Sequence, residues 1–482
     1  MRHILTVVIL FVVCSVATSR TLEVGEGREF SRLQAAAAQA EPGDTILIYD
    51  GTYSGGDYIE NLQGTESAWI TIKAAGGNAL FYGGSQAFHL TDPAYLRIEG
   101  LRFNMQTGNG VNIDDGGTYE SPAHHIVINL CEWMGMDAAG NNDELKMSGV
   151  DDFVISNCFF SIGAAGGSLV DMVGCHRGVF ENNYFTDGGS NSIQAKGATK
   201  DILITRNVFT FGGQRAINIG GSTGLAFFRP LGTLYEASEI KVHSNIFEGS
   251  VAPIAFVGAV NCEVINNTII RPERWAIRIL QETTEPGFLP CGNNTFRNNI
   301  VIHNSAQPAI NIGGGTAPET FTFSNNLWFN PDNASWSGPN TPVNEPDRLV
   351  NVDPLLTDTL TSLASNSPAV GKGFSVASPT NDFNGKLFAS PRSIGAVEGA
   401  VSTSVLAHKA LSSPKVYPNP TTNELTVMTV SDNETDMKIV DLLGKVIWQG
   451  KVSKEAKIDV RSWQSGVYVV HIGNSSQLVI KS

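Results

Sequence analysis

Leu145-Lys146-Met147-Ser148-Gly149 returns along the chain as Val170-Asp171-Met172-Val173-Gly174, Ile193-Gln194-Ala195-Lys196-Gly197, Ile217-Asn218-Ile219-Gly220-Gly221 and Ile254-Ala255-Phe256-Val257-Gly258. Ile277-Arg278-Ile279-Leu280 continues the series without the glycine, and Val111-Asn112-Ile113-Asp114 and Ile310-Asn311-Ile312-Gly313 are outer copies. From Gly149 to Gly220 the glycines step by 25, 23 and 23 residues. A second strand recurs between these copies and ends in asparagine, at Asn157, Asn183, Asn207, Asn245, Asn267, Asn299 and Asn326. Short strands of period two, bounded by Gly and Asn, cannot bury their apolar faces alone. At a period near 23 residues they stack as turns of a solenoid around one continuous core. The recurring asparagines suit turns that pass hydrogen bonds from coil to coil as a ladder. The fold class is all-β, a right-handed parallel β-helix followed by a small C-terminal β-sandwich.

The ends of the chain fit an exported solenoid. Residues 1–19 read as a signal peptide: Arg2 and His3, an apolar run from Ile4 to Val16, and small residues at Ala17-Thr18-Ser19. Glu29 to Ala40, rich in alanine, is expected to be a helix covering the first open sheet edge. Residues 20–399 form the β-helix domain, 400–413 a linker and 414–482 a further small domain. No stretch is suited to crossing a membrane, and the chain is expected to be monomeric. The net charge of −14 argues against a nucleic-acid partner, and an anionic glycan would need a local basic patch. The cysteines lack CxxC spacing, which disfavours zinc. Cys262 and Cys291 are the candidates for a disulfide, and the others are expected to be buried small hydrophobes.

Two resemblances sharpen this reading. Leu33 to Tyr53, with AEPGDTILIYDGTY, then Gly64-Thr65, Trp69–Lys73 and Tyr95–Phe103, resemble the opening of the chondroitinase B and alginate lyase family. That resemblance implies a strand lysine followed by an arginine on the next coil, with calcium-binding carboxylates upstream. Lys196 matches the lysine, and Arg215 lies 19 residues on. No carboxylate lies between Gly188 and Lys196, where the family has glutamates. Tyr417-Pro418-Asn419-Pro420, Asp441–Lys445, Ser465–Val469 and Val479–Ser482 resemble a type IX secretion sorting domain. It implies type IX machinery as a partner, a member of the Bacteroidota as the source, and a secreted or cell-surface location.

Strand alternation places side chains. One outward column reads Asn112, Lys146, Asp171, Gln194, Asn218, Ala255, Arg278; its neighbour reads Asp114, Ser148, Val173, Lys196, Gly220, Val257, Leu280. Just before the strands come Asp143, Ser168, Asn191, Arg215 and Ala252, with Glu144 beside Asp143. Elimination from a uronate needs a carboxylate neutraliser, a base for the C5 proton and an acid for the leaving oxygen. The expected base is Lys196 and the neutraliser Arg215. Lys146, Gln194, Asn218, Arg278, Arg229, Tyr235 and Trp275 are expected to bind an extracellular polysaccharide. Asp143, Glu144 and Asp171 could hold calcium. The competing enzyme is a glycoside hydrolase using Asp171 with Glu144 or Asp143; the non-enzymatic alternative is a glycan-binding surface protein. Plainer readings also stand: Lys146–Asp171 as a surface ion pair, Arg278 paired with Glu282, His176 as a structural residue, and the 227–235 aromatics as loop packing.

Overall fold

The computed structural model describes residues 19–357 and 361–399, and in the C-terminal part 415–417, 421–428, 434–441, 445–464, 466–472 and 475–481. The expected signal peptide before Ser19, the linker at 400–413, and Pro418–Pro420, Leu442–Gly444 and Ser465 of the sorting landmarks lie outside the described residues. Two compact units divide between residues 401 and 402.

In the first unit each coil contributes up to three strands to three parallel sheets. Among the described residues, the front sheet has ten strands, from Asp57–Glu60 to Ile310–Ile312. The second has fourteen, beginning with Thr21–Val24, and the third twelve, from Gly51–Ser54 to Leu349–Val350. The front register pairs Lys146 with Asp171, Asp171 with Gln194, Gln194 with Asn218, and Val173 with Lys196. Leu145, Met147, Val170, Met172, Ile193 and Ile217 point into a closed apolar core. Inside the third sheet Trp133, Phe160, Phe185, Phe209 and Phe247 stack at 4.4–4.9 Å with near-parallel planes.

The corners explain the two repeated residue types. Gly149, Gly174, Gly197 and Gly258 end their front strands at φ between +59° and +66°, a region costly for residues with a Cβ. At Gly174 a Cβ would also lie 2.7 Å from Arg229 Cβ. The asparagines form the expected ladder: the backbone N–H groups of Asn183, Asn207, Asn245, Asn267 and Asn299 each donate to the next coil's Oδ1 at 2.8–2.9 Å. Asn157 is the exception. It sits one position early, exposed at φ +54°, and buried Cys158 occupies the ladder position, its N–H donating to Asn183 Oδ1.

Two expectations need correction. The N-terminal helix is only Leu33–Ala37, because Phe30 is drawn into a bridge with Val24. Its buried Leu33, Ala36 and Ala37 still cover the first strands. Cys262 and Cys291 form no disulfide; the five described cysteines are free and buried. The Cys262 N–H is instead held by Asn294 Oδ1 at 2.8 Å, so this corner is joined by an amide rather than a cross-link.

The second unit holds two antiparallel sheets. Lys415–Tyr417, Glu424–Met428 and Glu455–Asp459 form one; Thr435–Asp441, Val446–Val452, Gly466–Ile472 and Ser475–Lys481 form the other. Leu425, Val427, Met437, Ile439, Ile458 and Val470 are buried in its core.

Candidate active site

A groove runs along the front sheet. Its first part is a cleft of about 840 Å³ from Tyr58 and His89 to Lys146 and Lys196. Its second, of about 380 Å³, runs from Lys196 to Arg215, Asn218 and Arg278. Asn141, Lys196 and Ser222 line both, so Lys196 stands at the junction.

The centre is built on Asp171, which is fully buried. Both Lys146 and Lys196 bind its Oδ2, Lys196 at 3.2 Å. This is a buried charge cluster, not the surface ion pair of the plainer reading. Lys146 also faces Asp143 at 3.5 Å, while Lys196 Nζ donates to Gln194 Oε1 at 3.2 Å. Burial opposes the charge on Lys146, but Asp171 and Asp143 outweigh it and raise its pKa. Burial, then the charge of Asp171, pushes the Asp143 carboxyl up to about 6. Asp171 Oδ1 and Asn218 Nδ2 are buried with no hydrogen-bond partner among the described residues.

Beyond Lys196, Arg215 opens its strand, donating to Asn218 Oδ1 at 3.1 Å and pairing with Glu282 at 2.6 Å. Glu282 thus pairs with Arg215, not with Arg278. Arg278 donates to Asn311 Oδ1 at 3.0 Å and lies 4.6 Å over the Trp275 ring. Lys196, Arg215 and Arg278 line this part with Glu282, a local basic patch of the kind an acidic chain would need for an anionic glycan.

The chain 221–236 flanks the groove. Buried Glu236 fixes it, accepting from the Gly197 and Thr223 N–H groups at 2.9 and 2.8 Å and from the Thr223 and Thr283 hydroxyls. Arg229, expected to bind substrate, lines the cleft and also anchors this segment. Its guanidinium holds Asp151, Gly174 O and His176 Nδ1, leaving it 6% exposed. His176 is structural, as the plainer reading had it. Tyr235 does not line the groove; its neighbours include Lys200 and Glu239. The loop aromatics divide: Phe228 is buried, and Phe227 is exposed on the cleft wall.

Of the expected calcium ligands, Asp143 and Asp171 meet only across the Lys146 ammonium, and Glu144 turns away from them. Asp171 is taken by two lysines; Asp143 accepts from Ser168 N–H at 2.8 Å and faces Lys146. The Glu144 carboxyl is buried, and burial pushes its pKa well up. Among the described residues no three acidic, histidine or cysteine side chains gather as a metal site would require. This donor set does not fit calcium.

Sequence reasoning missed the far end of the cleft. His89 Nε2 lies 2.5 Å from Asp114 Oδ2, and Tyr58 meets the His89 ring edge-on at 5.0 Å. Thr91 donates to the Tyr58 hydroxyl at 3.2 Å. Tyr119 reaches across to donate to Ala226 O, joining the 115–121 turn to the 221–236 wall.

Comparison with known proteins supports the architecture. Residues 86–269 match the model of the right handed beta helix region, and residues 415–482 that of the secretion system C-terminal sorting domain. No curated protein matches the chain. Among solved structures, it is similar to the pectate lyase Pel9A at 14% identity, with a TM-score of 0.52 over 80% of this chain and 98% of the other. An alginate lyase from Paenibacillus sp. str. FPU-7 matches at 20% identity and a TM-score of 0.41, over 69% and 99% of the two chains. A lacto-N-biosidase from Eubacterium ramulus is also similar.

 For that pair the identity is 13% and the TM-score 0.37, over 69% and 68% of the two chains. These likenesses carry the fold alone. The sorting domain marks the chain for secretion or cell-surface attachment. Among the described residues no helix is long and apolar enough to cross a membrane. The chain is a right-handed parallel β-helix protein with a C-terminal secretion-sorting domain.

Proposed function

We propose that the chain is a polysaccharide lyase that cuts a uronate-containing glycan by β-elimination. The observation that carries this reading is the pair of lysines on one buried carboxylate at the junction of the groove. Lys146, between Asp143 and Asp171, is held charged and suits the acid. Lys196, whose one ion-pair partner among the described residues is Asp171, is the base.

In the reaction, Lys196 Nζ takes the C5 proton. The electrons of the C5–H bond form the C4–C5 double bond, the C4–O bond breaks, and Lys146 gives the leaving oxygen a proton. Arg215, with Arg278 beyond it, neutralises the uronate carboxylate and so stabilises charge that grows as the proton leaves. Asn218 lines the groove beside Arg215 and helps to position it. No step passes through a metal. Export and the fold shared with a pectate lyase agree with this reading. A hydrolase built on Asp171 with Glu144 or Asp143 is disfavoured, because Glu144 is sealed from the groove and Asp171 is neutralised by two lysines.

The test uses Lys196→Ala, Lys196→Arg and Lys146→Met on a panel of alginate, chondroitin, pectate and ulvan. The unsaturated product should fall at least about a hundredfold for the Lys196 changes, the scale of a lost general base. A fully active Lys196→Ala would remove the proposal.

A further inference from the structure

The two far ends of the groove differ in charge. On one side of Lys196 lie Arg215 and Arg278, with Glu282 as the one carboxylate among the described residues lining that part. On the other side Lys146 stands near Lys196, the Arg229 guanidinium is held by Asp151, Gly174 O and His176, and beyond them Glu60, Asp114 and Asp115 line the far end with His89, Tyr58, Tyr119 and Phe227. Asp114 stands three coils from Lys196 in the same column, about 14 Å along the axis at the usual strand spacing. The whole front face from Tyr58 to Arg278 crosses eight coil steps, about 38 Å. The groove therefore holds several sugar units, and its two ends meet different ones.

The acidic end is built for a sugar. Tyr58 is 43% exposed and its ring is braced edge-on by His89. His89 is locked by Asp114, whose other oxygen accepts from Gly116 N–H at 3.0 Å. Phe227, 68% exposed, faces the same cleft from the wall that Tyr119 ties down. Fixed aromatic faces beside hydrogen-bonding groups suit the apolar face and hydroxyls of a sugar ring. Glu60 and Asp115 form no ion pair among the described residues, and their carboxylates disfavour a second uronate here.

We propose that the substrate is a mixed polymer: a uronate lies at Arg215 and Arg278, and uncharged sugar units lie at Tyr58, His89 and Asp114. This rests on the reading of the groove as a glycan site, and it names the kind of glycan. A uronate homopolymer fits the basic end and is disfavoured by the acidic one.

The experiment measures equilibrium binding to full-length mature protein carrying Lys196→Ala, so that nothing is cut. The probes are two oligosaccharides of equal length that fill the groove, one all-uronate and one alternating uronate with a neutral hexose. The alternating probe should bind about tenfold tighter, the scale of two partly screened like-charge contacts. Adding Glu60→Gln and Asp115→Asn should tighten the all-uronate probe about tenfold and change the alternating one by less than about twofold. Equal or tighter binding of the all-uronate probe before those changes overturns the proposal. So does an affinity ratio unmoved by them, or a failure to bind either probe. Unaltered protein incubated with both probes separates the two claims: preference without cleavage refutes the lyase and keeps the mixed polymer, while cleavage without preference does the reverse.

Discussion

Asn207→Ala and Asn157→Ala change the same residue type at the end of equivalent strands, and the structure gives them different costs. Asn207 is fully buried. Its Oδ1 accepts from the Asn183 backbone N–H at 2.9 Å and from Asn183 Nδ2 at 3.0 Å; its Nδ2 donates to Phe180 O, Thr205 O and Asn245 Oδ1 at 2.9–3.0 Å. Alanine deletes all five and leaves the Asn183 N–H and Phe180 O without these partners in a buried corner. At about 1–3 kcal/mol for each stranded group, the loss is about 3–5 kcal/mol. Asn157 is exposed, and its Nδ2 donates to Asn129 Oδ1 at 2.8 Å. Alanine there costs that one exposed bond and some left-handed strain at φ +54°, about 1 kcal/mol. Urea denaturation followed by circular dichroism should show a large midpoint drop for the first and a small one for the second. Equal drops would refute the ladder as a main support of the stack.

Two further predictions follow from buried charge. Burial raises the Asp143 carboxyl from its ordinary 3.8 to about 6, so ionising it in the folded protein costs stability that the unfolded chain does not lose. Its contribution is fully present below pH 4 and is lost as pH rises through 6, about 3 kcal/mol in all. Asp143→Asn, which still can accept from Ser168 N–H, should lack that decline, so urea midpoints of the two proteins should diverge in its favour between pH 4 and 7. Parallel profiles would show that Asp143 is not held up. Glu236→Gln places an amide where two backbone N–H groups and two hydroxyls converge, so residues 221–236 should loosen. Limited proteolysis inside that segment should speed up about tenfold while the thermal midpoint of the β-helix moves little; an unchanged rate would show that Glu236 does not fix the wall.

The sequence made the solenoid legible because each coil repeats the same local problem. The front columns from Asn112 to Arg278 follow from strand alternation once the glycine-ended copies are aligned, and the register reproduces them. The two earlier front strands escaped because they neither end in glycine nor lie next to the near-constant repeat from Gly149 to Gly220. Asp57–Glu60 is followed by Asn61 and Phe88–Thr91 by Asp92, and both corner residues take φ +54° themselves. Asn and Asp tolerate that region, so an apolar–polar–apolar strand ending in Asn or Asp was the signal for Tyr58 and His89. The role of Arg229 was not legible, because its partner Asp151 lies 78 residues away and only the folded loop joins them. The same holds for Glu144, whose place beside Asp143 suggests a ligand pair although the backbone turns its carboxyl inward. For the cysteines, the coil geometry met the need for a corner partner with Asn294 rather than a disulfide.

The most direct test of the account is the chemistry of the product. Purified mature protein would be incubated with uronate-containing glycans and the fragments read by ultraviolet absorbance and mass. Elimination expects new ends that absorb and weigh one water less than hydrolysis fragments, lost in Lys196→Ala. Saturated fragments would contradict the lysine-centred account and move the chemistry to carboxylates. No fragments from any of the glycans would contradict catalysis and leave a groove that only binds.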